Sequence, residues 1–186
     1  RKINGIFWLI NLSEGIDLNL FVLRKYEPEI FDCANKLILN NKKKNIIDIG
    51  ANIGVHSLKF AKNFRNRTIH AIEPTNYCFN KLKKNLNLNP SLKKKIKVYK
   101  NFNKLKKLSL PRKVYSSWKL DDNHLKHPEH FGLKKSTLGT KSFTLDNFIR
   151  INKIKDICFI KLDVDGHEYS VLKSGTNVLK KRVPII

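Results

Sequence analysis

The amino-acid sequence predicts an α/β domain whose core is a doubly wound, mostly parallel sheet. Three short, largely apolar runs carry this prediction, at residues 45–49, 68–72 and 156–162. Each run has the length of a buried parallel strand, and a helical pattern of apolar residues follows it. Because ligands bind at the carboxyl ends of the strands in such sheets, the polar residues that end the runs are the candidates for a functional site.

With 186 residues, the chain is long enough to form one domain with a sizeable core. The sequence contains no methionine, and residues 183–186 resemble the opening of a strand that is cut short. We therefore expect a fragment whose sheet is truncated near its fifth core strand, so that the C-terminal strands are missing.

Residues 1–40 are predicted to form an N-terminal extension of strand and helix that packs on the sheet, ahead of a binding domain at residues 41–186. Residues 7–12 favour a strand, and residues 16–23 favour either a further strand or a helix. Pro28, which stands between two glutamates, favours the first turn of a helix. This helix precedes the first core strand, so we expect it to lie over the carboxyl edge of the sheet.

The turn after the first core strand distinguishes two cofactors. A dinucleotide-binding loop needs a glycine two residues after its first glycine, and here Asn52 takes that position after Gly50. Asp48 would repel a pyrophosphate and attract a cation, by about 4 kcal/mol at a separation of about 4 Å. The turn therefore predicts a site for S-adenosylmethionine (SAM) rather than NAD, built from Asp48, Gly50, Ala51, Asn52 and Gly54.

A turn of this kind can also merely join a strand to a helix, but the next strand argues for a binding site. The run at residues 68–72 ends in Glu73, which lies 25 residues after Asp48 (73 − 48). An acid at this place can accept hydrogen bonds from both ribose hydroxyls of a nucleoside. Pro74 then suits the start of a helix, which is expected to stop before Pro90.

The third strand is predicted at residues 95–99, and the segment after it is harder to interpret. Asn101 follows this strand and is placed to meet the adenine amino group. Residues 103–142 then form an irregular insert, in which His124, His127 and His130 have a spacing that raises the question of a metal site. Pro128 interrupts the helix that would align the three rings, so we expect no metal and a mobile, positively charged loop over the active site.

The last apolar run leads into the most polar segment of the chain. A short helix is predicted to start at residues 144–149, and the strand at 156–162 is followed by Asp163, Asp165, His167 and Glu168. Three acids and a histidine at the carboxyl end of a strand favour a functional site. A plainer role for Asp165 or Glu168 is to cap the helix that follows.

The cysteines and the apolar stretches bear on the cell compartment. Cys33, Cys78 and Cys158 lie far apart and form no paired motif, which favours core thiols in a reducing compartment, and we expect a cytoplasmic protein. The longest apolar stretch near the start, residues 6–10, is too short to span a bilayer. We therefore expect no membrane span.

Five motifs together resemble the FkbM-type methyltransferases, a SAM-dependent class I group. They lie in the family's order and spacing at residues 26–29, 48–54, 73–74, 144–146 and 161–168. The last motif is the most specific, although the family most often carries a glutamate where this chain has Asp165. The resemblance implies a Rossmann-like class I methyltransferase sheet, SAM as the cofactor and, by analogy with members that methylate sugars or polyketides, an O-methyltransferase.

A hydroxyl acceptor has to lose a proton during methyl transfer, and His167 is the side chain best suited to take it near neutral pH. Asp163 or Glu168 is expected to orient this imidazole or to act directly. Asp163 also belongs to the expected cofactor site, and Glu27 is expected to close over the cofactor from the N-terminal side. The acceptor is expected to be a small molecule or a glycan.

Two other classes of protein stay open. An NAD(P)-binding Rossmann oxidoreductase would share the fold, although Asp48 and Asn52 disfavour it. A non-catalytic, basic nucleic-acid-binding domain is favoured only by the net charge of +23. Lysine supplies 31 of the 38 cations and is scattered along the chain, whereas arginine, the better residue for bidentate phosphate recognition, is scarce. We therefore expect incidental binding to polyanions and no specific nucleic acid.

Overall fold

The computed structural model describes residues 1–38, 41–42, 44–106, 108–116 and 132–186. Ten strands lie within these residues, numbered in chain order: Lys2–Ile3 (β1), Ile6–Phe7 (β2), Asn45–Ile49 (β3), Thr68–Ile72 (β4), Ile96–Tyr99 (β5), Asn101–Asn103 (β6), Lys113–Ser116 (β7), Leu133–Ser136 (β8), Lys141–Phe143 (β9) and Ile157–Leu162 (β10).

The same residues contain eight helices, and most of them connect successive strands. They are Gly15–Leu23 (α1), Pro28–Ile38 (α2), Val55–Asn63 (α3), Asn76–Asn87 (α4), Pro90–Lys93 (α5), Leu145–Ile151 (α6), Glu168–Lys173 (α7) and Thr176–Leu179 (α8). None of these helices is long and apolar enough to cross a membrane.

The centre of the molecule is a four-stranded parallel sheet in the order β10-β3-β4-β5. Ile160 of β10 also bridges Ile185 in parallel, so the last residues of the chain pair along the outer side of β10. This pairing agrees with the strand opening expected at residues 183–186. The parallel sheet confirms the α/β class that the three apolar runs predicted.

Both faces of the sheet are covered, because successive side chains of a strand point to opposite faces. Ile46 and Phe159 pack on one side with residues of α2, α3, α4 and the N-terminal extension. Ile47 and Ile160 pack on the other side with residues of α6, α7 and α8. The fold is therefore doubly wound, with one core on each face of the sheet.

The N-terminal extension differs from its prediction in one part. The strand expected at residues 7–12 is absent, and only Ile6–Phe7 (β2) pairs with β1 in an antiparallel bridge. The backbone N–H groups of Phe7 and Leu9 donate to the side-chain oxygens of Asn89 and Asn85, respectively, both at 2.9 Å. The side-chain amides of Asn85 in α4 and of Asn89 just after it thus bind this segment in place of a neighbouring strand. Residues 16–23 form a helix, and α2 begins at Pro28 as predicted.

The insert that was expected to be irregular contains two strand pairs in its described residues. Strands β7 and β8 pair in antiparallel fashion, while β6 and β9 pair in parallel. The hydroxyl of Thr140 donates to the carbonyl of Pro74 at 2.6 Å, which fastens the insert to the residue after β4 and Glu73. His124, His127 and His130 lie outside the described residues.

Candidate active site

A cavity of about 290 Å³ lies at the carboxyl ends of the central strands. Its lining includes the ends of three strands, a segment of the insert and residues from the N-terminal extension. The polar side chains in this lining are Tyr26, Glu27, Asn52, Glu73, Thr75, Asn101, Asn103, Tyr115, Ser116, Asp163, Asp165 and His167. The cavity therefore lies at the sheet edge where the sequence predicted a site.

The turn after β3 forms one wall of the cavity and is held very close to the chain after β10. Gly50 has a φ of 81°, and a Cβ placed on it would lie 1.7 Å from the backbone oxygen of Asp163. Only glycine fits this combination of a left-handed backbone and close approach. Gly54 directly precedes α3, and a Cβ placed on it would lie 2.3 Å from the side chain of Leu82. Gly50 and Asn52 line the cavity, whereas Ala51 and Gly54 lie behind it.

Asp48 is fully buried behind this turn and does not line the cavity. Its carboxylate accepts a hydrogen bond from the hydroxyl of Ser57 at 2.6 Å and lies 3.6 Å from the ammonium of Lys161. The sequence-based expectation of a direct attraction between Asp48 and a cationic cofactor is therefore wrong in its mechanism. The charge of Asp48 is already balanced within the protein by Lys161, whose ammonium also contacts the carbonyl of Gly50 in the turn.

Lys161 is the buried cation that joins the turn to β10. Its ammonium donates to the carbonyl of Gly50 at 2.9 Å and to the carboxylate of Asp163 at 3.1 Å. Burial alone would lower the pKa of Lys161, but the carboxylates of Asp48 and Asp163 raise it above its usual value. The sequence analysis missed this residue, although a lysine within an otherwise apolar buried strand was a visible signal.

Glu73 lies at the end of β4 and fastens the turn from the other side. One carboxylate oxygen accepts from the backbone N–H and the hydroxyl of Thr75, at 2.8 and 2.6 Å. The other oxygen accepts from the backbone N–H of Asn52 at 3.0 Å. Burial raises the pKa of Glu73, while these hydrogen bonds act in the opposite direction.

Two amide side chains of β6 point to a ligand. Asn101 and Asn103 are each 3% exposed, and neither the nitrogen nor the oxygen of either amide has a hydrogen-bond partner in the described part of the chain. Both residues line the cavity. Leaving a buried polar group unpaired costs about 1–3 kcal/mol, so these amides are placed to bind something that enters the cavity. Asn101 was predicted, and Asn103 was not.

Glu27 enters the cavity from the N-terminal side, immediately before α2. Its carboxylate contacts the imidazole nitrogen Nε2 of His56 at 2.9 Å, and its φ of 40° is unusual for a residue other than glycine. Burial alone would raise the pKa of Glu27, but its hydrogen bond to His56 and the charge of that residue hold the pKa below its usual value. His56, at the start of α3, is a partner that the sequence analysis missed.

In the polar segment after β10, His167 and Glu168 contact different parts of the molecule. His167 lines the cavity, and its ring packs edge to face against Phe102 with 5.1 Å between centroids. Glu168 instead accepts from the backbone N–H groups of Val164 and Gly166, at 3.0 and 3.4 Å, and does not line the cavity. It therefore caps its own loop.

The two acids that were expected to assist His167 have other partners. Asp163 is paired with Lys161, and Glu168 is turned toward its loop, so neither carboxylate is hydrogen-bonded to the imidazole in the described ranges. These contacts do not support orientation of His167 by Asp163 or Glu168, and the alternative, that one of them acts directly, stays a prediction. Over the same ranges, no group of three or more metal-binding side chains is present.

The fold is shared with solved methyltransferase structures. The chain is similar to the solved structure of a human methyltransferase 10 domain containing protein, with a TM-score of 0.50 and 18% identity over 95% of this chain and 63% of that one. Weaker likenesses include a putative O-methyltransferase from Klebsiella pneumoniae, with a TM-score of 0.46 and 10% identity over 86% of this chain and 52% of that one. The N-terminal domain of human METTL16 in complex with SAH gives a TM-score of 0.43 and 17% identity, over 95% of this chain and 55% of that one.

The family follows from the sequence of the same region. The methyltransferase FkbM domain matches residues 48–186, and the chain belongs to this family. SAM is accordingly the cofactor of the domain. The chain spans between about half and two thirds of the length of the three solved structures. No curated protein matches the sequence.

The residues of the cavity fit this cofactor. SAM carries an adenine with neighbouring hydrogen-bond donor and acceptor groups, a ribose with two hydroxyls and a charged amino-acid end. The cavity offers the unpaired amide of Asn101 for the adenine, the carboxylate of Glu73 for the ribose and the carboxylate of Glu27 for the amino group. Each part of the cofactor can therefore find a partner of suitable chemistry.

Proposed function

We propose that this chain transfers a methyl group from SAM to a hydroxyl group of a sugar, a glycan or a related small metabolite. The observation that carries the proposal is that the imidazole of His167 lines the same cavity as Gly50, Asn52 and Glu73. A group able to take a proton thus faces the space beside the residues expected to hold the methyl donor. Methyl transfer is an in-line displacement, so alignment and proton removal are the main tasks left to the protein.

Residues at the ends of adjacent strands are assigned to the cofactor, which when bound supplies a methyl group made electrophilic by its sulfonium. Gly50 and Asn52 hold the methionyl part, and Asn101 holds the adenine edge. Glu73 holds the ribose. An ionised carboxylate has about four lone-pair sites, and three bonds from Thr75 and Asn52 are already made, so Glu73 has room for one ribose hydroxyl.

The N-terminal extension completes the cofactor end of the cavity. Tyr26 and Glu27 both line it, and the contact between Glu27 and His56 fixes that carboxylate relative to the turn. Because Glu27 stays ionised at neutral pH, it offers a negative charge to the amino group of SAM. We assign Glu27, in place of Asp48, the electrostatic role that the sequence suggested for Asp48.

His167 is assigned the role of general base. Its ring is half-buried, and the edge-to-face contact with Phe102 limits its rotation. In this role His167 would accept the proton of the acceptor hydroxyl as the O–C bond forms and the bond between the sulfonium and the methyl group breaks, with S-adenosylhomocysteine as the leaving group. Asp163 is engaged by Lys161 and Glu168 by its own loop, so neither of these two carboxylates is assigned to the imidazole.

Radiolabelled methyl transfer from SAM tests this function. His167→Ala is expected to lower turnover by about 10²–10⁴, the usual contribution of a general base, with SAM affinity close to native. Glu168→Gln is the matched control, because its side chain keeps one oxygen for the loop, and turnover should stay within about threefold of native. Equal turnover in native protein and His167→Ala would remove the base from the mechanism.

The acceptor is tested with the same assay. Sugars and oligosaccharides with free hydroxyls are compared with RNA, since the net charge of +23 favours a polyanion. Label that is found on the sugar and that resists hydrolysis by base, as a methyl ether does, supports O-methylation. Label on RNA with none on any sugar would contradict the proposed acceptor while leaving SAM as the donor.

A further inference from the structure

The two unpaired amides of β6 present more hydrogen-bonding capacity than the cofactor can use. Asn101 and Asn103 are separated by one residue, so their Cα atoms lie about 6.6 Å apart along the strand and their side chains leave on the same side. All four of their amide atoms are without partners among the described residues. One adenine edge can pair with one asparagine amide through two neighbouring atoms. It cannot reach both amides at this spacing.

The course of β6 shows which amide lies nearer to the cofactor end. The backbone N–H of Glu73 donates to the carbonyl of Tyr99 at 3.1 Å, so the chain just before Asn101 runs beside the ribose-binding residue. Two residues further on, Asn103 has moved away from Glu73 along the strand. Asn101 is therefore the amide placed for the adenine.

The other end of β6 approaches α7, the helix that His167 directly precedes. The backbone N–H of Leu105 donates to the hydroxyl of Ser170 in α7 at 3.1 Å. Phe102 packs against His167, with 5.1 Å between ring centroids, although its side chain leaves β6 on the face opposite to Asn103. Asn103 lines the same cavity as His167, and it stands at the end of β6 that leads to the contact with α7. Its amide therefore belongs to the part of the cavity toward α7, where an acceptor must lie if His167 is to take its proton.

We infer that Asn103 binds the methyl acceptor, and that the acceptor carries two neighbouring hydroxyl groups that pair with this amide. Of the two hydroxyls, one accepts from Nδ2 and the other donates to Oδ1, so that both polar atoms of the amide gain a partner. This inference rests on the proposed transfer to a hydroxyl group. It makes Asn103 a residue that selects acceptors by the arrangement of their hydroxyls, separate from the residues that hold SAM.

Binding of S-adenosylhomocysteine (SAH) by titration calorimetry separates the two amides. Asn101→Leu should weaken SAH binding by about tenfold or more, the usual effect of losing a paired adenine contact. Asn103→Leu should leave SAH affinity within about twofold of native. Equal weakening by both variants would place Asn103 in the cofactor site and overturn the inference. Failure of native protein to bind SAH would instead contradict the proposed function itself.

Acceptor binding is tested on the SAH complex by saturation-transfer NMR, with methyl hexopyranosides and their singly deoxygenated analogues as probes. With native protein, at least one parent glycoside should show saturation transfer, and one of its deoxy analogues should show none. With Asn103→Leu, the parent glycoside should show no saturation transfer either. Asn103→Ala provides a second variant with a smaller side chain. Unchanged binding in both variants, or no saturation of any glycoside by native protein, would contradict hydroxyl recognition by Asn103.

Thermal unfolding distinguishes this role from a structural one. A buried amide without partners destabilises the ligand-free fold, so replacing it by an apolar group of similar size should leave the midpoint unchanged or raise it. Ligand-free Asn103→Leu is therefore expected to melt at or above the native temperature. A clear drop in the midpoint would mean that the amide supports the fold, and it would overturn the assignment.

Discussion

Lys161 is the residue on which the geometry of the site depends most. Its ammonium contacts the turn after β3 and the first residue after β10, and it balances the buried carboxylate of Asp48. Its partners come from positions more than a hundred residues apart in the chain. A sequence shows that such a lysine is unusual in an apolar strand, but the identity of its partners depends on the pairing of β3 with β10.

Removing the ammonium of Lys161 should show how much the stability of the fold depends on it. Lys161→Met leaves Asp48 buried with Ser57 as its remaining donor, and we expect a loss of about 3–5 kcal/mol in the free energy of unfolding. The double variant Asp48→Asn/Lys161→Met removes both charges and should recover a large part of the loss. Urea unfolding of the native protein, both single variants and the double variant measures the coupling. Strictly additive effects would show that the pair is not coupled.

Gly50 offers a second test at the level of one residue. Gly50→Ala combines a left-handed φ of 81° with a contact of 1.7 Å to a backbone oxygen, and it should cost about 3 kcal/mol or more. Gly166→Ala is the matched control, since Gly166 has a φ of 89° but no atom within 4 Å of the added Cβ. The control should lose only about 1 kcal/mol. Similar losses in the two variants, measured by thermal unfolding, would mean that the turn has room for a side chain.

At the scale of the elements, the sequence was informative where strands are fully buried. The strands β3, β4 and β10 are near-continuous apolar runs, and their ends predicted the positions of Gly50, Glu73 and His167 in the site. The pair β7 and β8 was missed, because each strand has a single buried apolar residue, Val114 or Leu133, among lysines and serines. Short strands on a half-covered layer do not show the periodicity on which such predictions depend.

One polar network spans three strands of the sheet and makes stability depend on pH. The imidazole of His70 in β4 contacts the side chain of Asn45 in β3 at 2.9 Å and the hydroxyl of Tyr99 in β5 at 3.0 Å. Burial, assisted by the nearby charge of Lys97, lowers the pKa of His70 to about 4. The native state therefore keeps this ring neutral at pH values where an unfolded chain protonates it.

The direction of the pH effect follows from this lowered pKa. Above pH of about 6.5 the stabilisation is fully present, and it is lost as the pH falls toward about 4, by roughly 3 kcal/mol in total. Denaturant unfolding across this range should show the loss in native protein. In His70→Gln the loss should be smaller, since the amide does not titrate. Parallel pH profiles for the two proteins would contradict the assignment.

At the scale of the whole molecule, the excess of positive charge is unevenly placed. The described residues of the strand layer beside the cavity, 100–106, 108–116 and 132–143, contain lysine and arginine but no acidic residue. Most of the acids with an assigned role, Glu27, Asp48, Glu73 and Asp163, lie instead in or behind the cavity. A basic surface of this kind is expected to attract polyanions, whereas the acids lie where the cofactor is expected to bind.

The central claim is that this cavity is built for SAM, and calorimetric titration of the native protein with SAM and with NAD tests it most directly. We expect binding of SAM at one site per chain and no measurable heat with NAD at the same concentrations. The selectivity should follow from Asn52 at the place where a dinucleotide loop has glycine and from Glu27 facing the amino group of SAM. Saturable binding of NAD with no response to SAM would contradict the account.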